Sequence, residues 1–242
     1  MPLEADQLLR IPLIPLLIGQ AIYVRQSAMQ LPEPPGPRQG KYGSGPRLRV
    51  LILGDSSAAG VGASVQRLAL SGQLENRLSA DNTIEWLLAA ETGATTKTSL
   101  GKLDTLPPHR FDVAVLVHGV NDTTRLTSKH RFIARQTKLI DQLKHQHKIR
   151  HFVLSGVPPM HHFPLLPQPL RWVLGCQAQR LDKGLHEIAA NRPDCSHVAL
   201  DLPYEPKYVA KDGFHPSEEA YQVWSQLIAD HLRPFREATA KA

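Results

Sequence analysis

Three short segments of the sequence carry side chains that together suit nucleophilic catalysis. Ser56 lies among small residues, Asn121 lies two residues after Gly119, and Asp212 precedes His215 by three residues. A serine hydroxyl is a poor nucleophile until an imidazole removes its proton, and a carboxylate holds that imidazole in the required tautomer. We therefore predict Ser56 as nucleophile, His215 as its base and Asp212 as the orienting carboxylate. The Ser56 N–H and the Asn121 amide are the expected oxyanion donors.

The segment around Ser56, residues 54–62, is ambiguous when it is taken alone. Glycine-rich turns between a strand and a helix also cradle phosphates, so binding of a phosphate ligand stays open. The Lys-Ser/Thr pair of a P-loop is absent, and Gly60-Val61-Gly62 lacks the third glycine of a dinucleotide fingerprint. Ala58 stands where the second glycine of a Gly-x-Ser-x-Gly nucleophile elbow belongs. The segment around Ser56 therefore indicates a function only in combination with the segments that contain Asn121 and His215.

Apolar runs of strand length alternate with stretches of helical periodicity, which is typical of a parallel sheet covered by helices. Helices are expected from near Ser64, over Ser128–Lys148, and after Pro216, which suits the first turn of the last helix. Ligands bind beyond the carboxyl ends of parallel strands, which is where Ser56 and Asn121 fall. The predicted strands are Leu48–Leu53, Ile84–Ala90, Val113–His118, Phe152–Val157 and Val198–Leu200.

The order of Gly-Asp-Ser at 54–56, Gly-Val-Asn-Asp at 119–122 and Asp-Gly-Phe-His at 212–215 resembles the SGNH/GDSL hydrolases. The resemblance covers about Arg47 to the C-terminus. It implies an α/β fold, a flavodoxin-like three-layer α/β/α arrangement with a five-stranded parallel sheet. It also implies a triad of Ser56, Asp212 and His215, and an oxyanion hole formed by Ser56, Gly93 and Asn121.

Gly93 departs from the family pattern in its surroundings, because Glu91 and Thr92 replace the usual Asn-rich approach. A glycine placed only for a turn is the rival interpretation. Asp55 and Asp122, which neighbour the site residues, are predicted to fix loop hydrogen bonds rather than to act in catalysis.

The activity that the resemblance implies is hydrolysis of a carboxylic acyl ester without cofactor or metal, on a lysophospholipid, a short acyl ester or a thioester. Two alternatives stay open: a carbohydrate O-deacetylase with the same triad, and a non-catalytic flavodoxin-like binding module. Specificity is expected in the loops 95–110 and 160–170, and the block 156–159 is expected to shape the pocket. Five apolar side chains are expected either to line an acyl pocket or to belong to a loop that closes over the core. They are Phe163, Leu165, Leu166, Leu170 and Trp172.

Composition limits the partners and the compartment. The 242 residues suit one sizeable domain. The formal charge is +6, but the basic residues are not interleaved with aromatic residues on which bases could stack, so no nucleic-acid partner is expected. Cys176 and Cys195 are the two cysteines, which suggests thiols rather than a disulfide framework. The two thiols favour a cytoplasmic protein. Its expected partner, a small-molecule acyl ester, is what the resemblance to the SGNH/GDSL hydrolases implies. The composition indicates no oligomeric state.

The N-terminus is predicted to form an apolar segment, residues 1–30, followed by a Pro/Gly-rich linker at 31–46 and the hydrolase domain at 47–242. The apolar run Ile11–Val24 is short beside the roughly 20 residues of a membrane span. Glu4 and Asp6 lie where a secretory signal carries positive charge, so an uncleaved segment is expected. Residues 8–25 are expected either to contact a membrane peripherally or to pack on the domain.

Overall fold

The computed structural model describes residues 5–200 and 205–240 of the chain. The strands are β1 (Gln39–Tyr42), β2 (Arg47–Gly54), β3 (Thr83–Ala90), β4 (Val113–Val117), β5 (His151–Ser155) and β6 (Cys195–Val198). The helices are α1 (Ala5–Ser27), α2 (Ser56–Ala59), α3 (Leu70–Leu78), α4 (Thr96–Leu100), α5 (Val120–Thr124), α6 (Lys129–His147), α7 (Leu170–Ala190) and α8 (Glu218–Ala240).

The six strands form one sheet in the order β1-β3-β2-β4-β5-β6. The five strands from β2 to β6 are mutually parallel and keep the flavodoxin-like order, which confirms the predicted fold class. The sixth strand, β1, comes from the predicted linker and pairs antiparallel with β3 at the sheet edge. Its side chains are mostly exposed, so it has no apolar alternation from which the sequence could predict it.

Helices cover both faces of the sheet because successive strand residues point to opposite sides. In β2, Leu51 and Leu53 face the layer of α6 and α7, whereas Val50 and Ile52 face the layer of α3 and α8. Buried apolar side chains pack on both faces of β2 and β4, and this packing holds the carboxyl ends of the two strands in place.

Helix boundaries agree with the sequence where a capping residue marks them. The Ser128 side chain accepts a hydrogen bond from the Arg131 N–H at the start of α6, and Lys148 ends it in the left-handed region with φ 57°. The helix expected near Ser64 instead begins at Leu70, since the chain first forms α2 and a 3-10 turn. Strand β6 begins at Cys195, three residues before the predicted start at Val198. Its residues Ser196 and His197 are polar, so this part of the strand lacks the apolar run that would predict it.

The N-terminal helix α1 packs along α7. It is longer than its apolar run, since the structure accommodates Asp6 and Arg10 in ion pairs. By length and composition alone α1 is able to cross a membrane. The segment that follows also packs on the domain: the Pro35 carbonyl accepts from the Gln66 N–H, and the Arg38 carbonyl from the Leu88 N–H.

Candidate active site

Ser56 is held at the carboxyl end of β2, where β2 approaches β4 closely. A Cβ atom on Gly54 would lie 2.3 Å from the Val117 carbonyl oxygen, so only glycine fits there. Asp55 donates its N–H to the same carbonyl at 3.1 Å, and its carboxylate accepts the Ser57 N–H at 3.0 Å. This hydrogen bond caps α2, so that Ser56 is the first residue of a one-turn helix. The Ser56 residue is 8% exposed.

Asp212 and His215 lie on the loop before α8, as predicted, and the loop is fixed by the Asp212 carboxylate itself. One carboxylate oxygen accepts the backbone N–H groups of Phe214 and His215, each at 3.0 Å. The other oxygen lies 2.5 Å from His215 Nδ1. The carboxylate therefore sets both the backbone of the loop and the orientation of the imidazole.

The structure brings Ser56, His215 and Asp212 into one hydrogen-bonded relay. His215 Nε2 lies 2.8 Å from Ser56 Oγ, although 159 residues separate them in the chain. With its Nδ1 proton donated to Asp212, the imidazole presents the Nε2 lone pair to the Ser56 hydroxyl, which is the geometry that proton removal requires.

The charge state of Asp212 suits this arrangement. Burial opposes its ionisation, but the hydrogen bonds from the His215 side chain and from the N–H groups of His215 and Phe214 outweigh burial. The pKa of Asp212 is therefore lowered below its usual value. Asp212 is a carboxylate at neutral pH and is able to stabilise an imidazolium at His215.

Asn121 and the loop that carries Gly93 lie beside each other next to this relay. Asn121, in α5, donates its amide to the Ala94 carbonyl at 3.1 Å and lies 3.5 Å from an Asp55 carboxylate oxygen. Gly93 has φ 82°, a left-handed conformation that glycine adopts without strain, and its α-carbon faces open space. Two of the three predicted oxyanion donors, Gly93 and Asn121, thus lie close together, and Asn121 approaches the residue before Ser56.

A residue of the predicted linker, Glu33, supports the loop before Gly93. Its carboxylate accepts the Thr92 N–H at 3.0 Å and the Thr92 hydroxyl at 2.8 Å, and it pairs with Arg38 at 2.8 Å. Burial opposes ionisation of Glu33, but the Thr92 hydrogen bonds and the Arg38 charge lower its pKa below the usual value. Sequence reasoning missed Glu33, because no local pattern signals a contact between residues 59 positions apart.

The acidic neighbours of the site hold loops in place, as expected. Asp122 accepts the Thr96 N–H at 2.9 Å and its hydroxyl at 3.0 Å, which ties α5 to α4. Asp55 caps α2 but is buried, and burial raises its pKa to about 6 against the opposing hydrogen bond from Ser57. Asp55 therefore caps α2 at a buried position, where burial disfavours its ionised form.

A mainly apolar cavity of about 400 Å³ opens beside His215. The block 156–159 lines it as predicted, through Gly156, Pro158 and Pro159, and so do the aromatic rings of Phe163 and Phe214. These two rings meet edge to face at 5.1 Å.

Of the five apolar side chains suggested for an acyl pocket, Phe163 reaches the cavity wall. Leu166 and Leu170 are instead buried in the core between the sheet and α7. A second imidazole, His118, also lines the cavity. Burial lowers its pKa to about 4, and its ring bonds Ser99. His118 is therefore neutral at physiological pH.

No group of three or more His, Cys, Asp or Glu side chains lies close enough to hold a metal ion within residues 5–200 and 205–240.

The sequence profile of the GDSL-like Lipase/Acylhydrolase family matches residues 52–223, and the chain belongs to this family. It is therefore a hydrolase that cleaves ester bonds, built on a mostly parallel sheet of six strands. No curated protein matches the sequence.

Solved structures share the fold at low sequence identity. The psychrotrophic esterase EstA from Pseudoalteromonas sp., in a structure inhibited by monoethylphosphonate, is 19% identical with a TM-score of 0.59, over 78% of this chain and 98% of its own. The lipase/acylhydrolase from Enterococcus faecalis is 20% identical with a TM-score of 0.57, over 77% and 96%. The Clostridium thermocellum family 3 carbohydrate esterase is 16% identical with a TM-score of 0.60, over 80% and 99%.

Proposed function

We propose that the protein is a serine esterase that hydrolyses carboxylic acyl esters through an acyl-enzyme on Ser56. The single observation that carries this proposal is the continuous relay from Ser56 Oγ through His215 to Asp212, at 2.8 and 2.5 Å. The mainly apolar cavity beside His215 supports an acyl substrate.

In the acylation step, Ser56 Oγ attacks the ester carbonyl carbon while its proton passes to His215 Nε2. The carbonyl oxygen becomes an oxyanion, for which the Ser56 N–H, the Gly93 N–H and the Asn121 amide are the proposed donors. The C–O bond to the alcohol then breaks, and the alcohol leaves with the proton from His215. Asp212 stabilises the imidazolium during this step and remains ionised.

In the deacylation step, water takes the place of the alcohol. His215 removes a proton from the water as it attacks the acyl carbon, and the second oxyanion is held by the same donors. The bond to Ser56 Oγ breaks, the serine regains its proton from His215, and the carboxylic acid is released. No group outside the chain, the ester and water takes part.

The proposal is tested by intact-mass analysis after treatment with a fluorophosphonate. We expect one adduct on the wild-type chain, no adduct on Ser56→Ala, and a much slower reaction of His215→Ala. An adduct on Ser56→Ala would assign the nucleophile elsewhere. A wild-type chain that stays unlabelled would favour the alternative of a non-catalytic binding module.

A carbohydrate O-deacetylase is the second candidate function. It is favoured by the fold shared with the Clostridium thermocellum carbohydrate esterase. The same relay transfers an acetyl group equally well, so the alcohol side of the ester distinguishes the two. Turnover of chromogenic esters of increasing acyl length, compared with acetylated sugars, separates them. We expect the chromogenic esters to be preferred because the cavity is mainly apolar.

We also propose a cytoplasmic location for the catalytic domain. Cys176 and Cys195 are both thiols, which supports a reducing compartment. Cys195 is buried, and burial raises its pKa to about 12, so that it is a poor nucleophile. Fractionation of cells that express a tagged full-length chain tests the location; recovery outside the cytoplasmic face would contradict it.

A further inference from the structure

The N-terminal helix α1 turns its more polar side toward the domain and its apolar side outward. Water-exposed helices show the opposite arrangement. The side that faces the domain is a stripe at helical spacing formed by buried or half-buried Asp6, Arg10, Leu13, Leu17, Gln20 and Val24.

Every exposed position from 8 to 23 is apolar or is Tyr23. The large side chains among them are about half exposed or more: Leu8, Leu9, Ile11, Ile14, Leu16, Ile18, Ile22 and Tyr23. We call these eight side chains the outer face of α1. A continuous apolar face of this size marks an interaction site.

Ion pairs hold the first turns of α1 against α7. The Asp6 carboxylate is 3% exposed and binds the Arg180 guanidinium through two hydrogen bonds, at 2.7 and 2.6 Å. Arg10 adds a third hydrogen bond to Asp6 at 2.7 Å. The Arg180 hydrogen bond lowers the Asp6 pKa against the effect of burial, so the pair stays charged. This end of the helix is therefore attached to the domain.

The later turns of α1 are held as well. The Gln20 amide donates to the Gln168 carbonyl at 2.6 Å, and its oxygen accepts the Leu170 N–H at 3.0 Å. Leu17 and Val24 pack against the core layer beneath α7. Since both ends are attached, the helix lies along the domain for its whole length.

This attachment argues against a membrane-spanning orientation. A spanning helix would have to release Asp6 and Gln20 from the domain and carry them toward hydrocarbon, which is costly. Pro12 and Pro15 also lack the N–H groups that would bond the Leu8 and Ile11 carbonyls. Those carbonyls are satisfied by water at a membrane surface but not in its centre.

The composition of the outer face fits lipid better than a protein surface. It is aliphatic apart from Tyr23, whose ring suits the headgroup level, and the exposed Arg25 lies two residues further on. The chain carries a formal charge of +6, which complements anionic lipid. Protein interfaces, by contrast, are enriched in several aromatic residues and arginine at their centre.

The helix is also connected to the cavity. Segment 163–170 contributes Phe163 and Pro164 to the cavity wall, and its other end, at Gln168 and Leu170, binds Gln20 of α1. Arg171 stiffens this segment by donating to the Leu166 and Pro164 carbonyls. The surface that receives α1 and part of the cavity wall therefore belong to the same short segment, residues 163–170.

We propose that α1 lies flat in the surface of a lipid bilayer, with its outer face among the acyl chains, and that it brings the cavity to esters held in that bilayer. This inference rests on the proposed esterase function for its substrate, which is a lipid-borne acyl ester. The orientation of the helix is independent of that function.

Flotation of the full-length chain with vesicles tests the contact. With phosphatidylcholine vesicles containing one-third phosphatidylglycerol, we expect the wild type to float. The triple variant Ile11→Glu/Ile14→Glu/Ile18→Glu is expected to bind roughly tenfold or more weakly. The control Tyr42→Glu replaces one exposed apolar side chain by a carboxylate on β1, at the far edge of the sheet, and is expected to float like wild type. Equal flotation of the triple variant overturns the proposal.

A depth measurement separates a flat helix from a spanning one. A nitrobenzoxadiazole label is placed on Leu9→Cys, Ile14→Cys or Ile22→Cys, one at a time, in a Cys176→Ala background. Dithionite added outside the vesicles is expected to reduce all three labels alike. Protection of one end of the helix with reaction at the other would indicate a span and would refute the flat orientation.

Two further readouts keep the parts of the proposal distinct. Sedimentation without lipid tests whether a second copy of the chain covers the outer face. A wild-type dimer, a monomeric triple variant and no flotation of wild type would together overturn lipid binding.

Turnover is measured on a long-chain ester held in vesicles and on a short-chain ester in solution. We expect the triple variant to lose roughly tenfold on the former and to match wild type on the latter. If neither ester is hydrolysed by wild type, the esterase function fails while flotation still reports on α1.

Discussion

At the scale of single residues, Asp212 has two structural tasks. One carboxylate oxygen holds the imidazole of His215, and the other holds the N–H groups of Phe214 and His215. The base therefore receives both its tautomer and its backbone position from the same side chain. This sharing explains why a spacing of three positions suffices between carboxylate and imidazole, and why that spacing was informative in the sequence.

Asn121→Ala tests the oxyanion assignment. Removal of one donor is expected to lower kcat by about 10² to 10³, because the donor acts on charge that develops in the transition state. Steady-state kinetics on a chromogenic ester measure the loss. Asn76→Ala, the same change at an exposed position of α3, is the matched control and should retain wild-type kcat. An Asn121→Ala enzyme with unchanged kcat and an intact fold would remove this residue from the site.

Asp55→Asn tests the buried carboxyl through the pH dependence of stability. The pKa of Asp55 is raised from 3.8 to about 6 by burial. Between these values the folded chain binds more protons than the unfolded chain, so wild-type stability falls as pH rises. The variant lacks this titration, so its free energy of unfolding relative to wild type should increase from pH 4 to pH 7, by up to about 3 kcal/mol.

Urea unfolding at several pH values measures this difference. Asp104→Asn, the same change at an exposed position, is the matched control. A flat difference for Asp55→Asn would mean that burial does not hold the proton on this carboxyl.

At the scale of elements, the segment between α1 and β2 belongs to the site. It supplies Glu33 to the Thr92 backbone and β1 to the sheet edge. Glu33→Ala is expected to lower kcat roughly tenfold with little change in KM for a short ester, because the loop that carries Gly93 loses its anchor. Glu33→Gln keeps an acceptor and should restore part of the rate.

Glu91→Ala is the matched control for Glu33. It removes the same side-chain type from the loop that carries Gly93, but Glu91 is exposed and pairs with Lys102. Its kinetics should equal those of wild type. A rise in KM without loss of kcat in Glu33→Ala would instead indicate a role in binding the ground state.

The sequence predicted elements that carry their own signals and missed those that depend on distant partners. Helix α6 was confirmed at both ends, since Ser128 and Lys148 mark its caps. Strand β1 was missed because its pairing with β3 uses the backbone and leaves its side chains exposed. The relay geometry followed from residue order and strand ends. The contact between Glu33 and Thr92 has no local sequence pattern from which it could be predicted.

At the scale of the whole molecule, two truncations test where the functional unit begins. A chain that starts at residue 31 loses α1 but keeps Glu33, and its kcat/KM on a short ester in solution should stay within about twofold of wild type. A chain that starts at residue 47, the boundary that composition suggests, loses Glu33 and β1, and should fall roughly tenfold or more. Full turnover by the shorter chain would place the boundary at 47 after all.

The position of β1 also has a consequence for self-association. Without it, the eight residues of β3 would present a row of unpaired peptide groups, which is a template for pairing with another chain. The strand that covers this edge is four residues long and carries Lys41, which pairs with Glu85 at 3.0 Å. Short, charged edge strands resist edge-to-edge pairing with a strand of another chain. A stretch with the composition of a spacer thus guards the protein against aggregation.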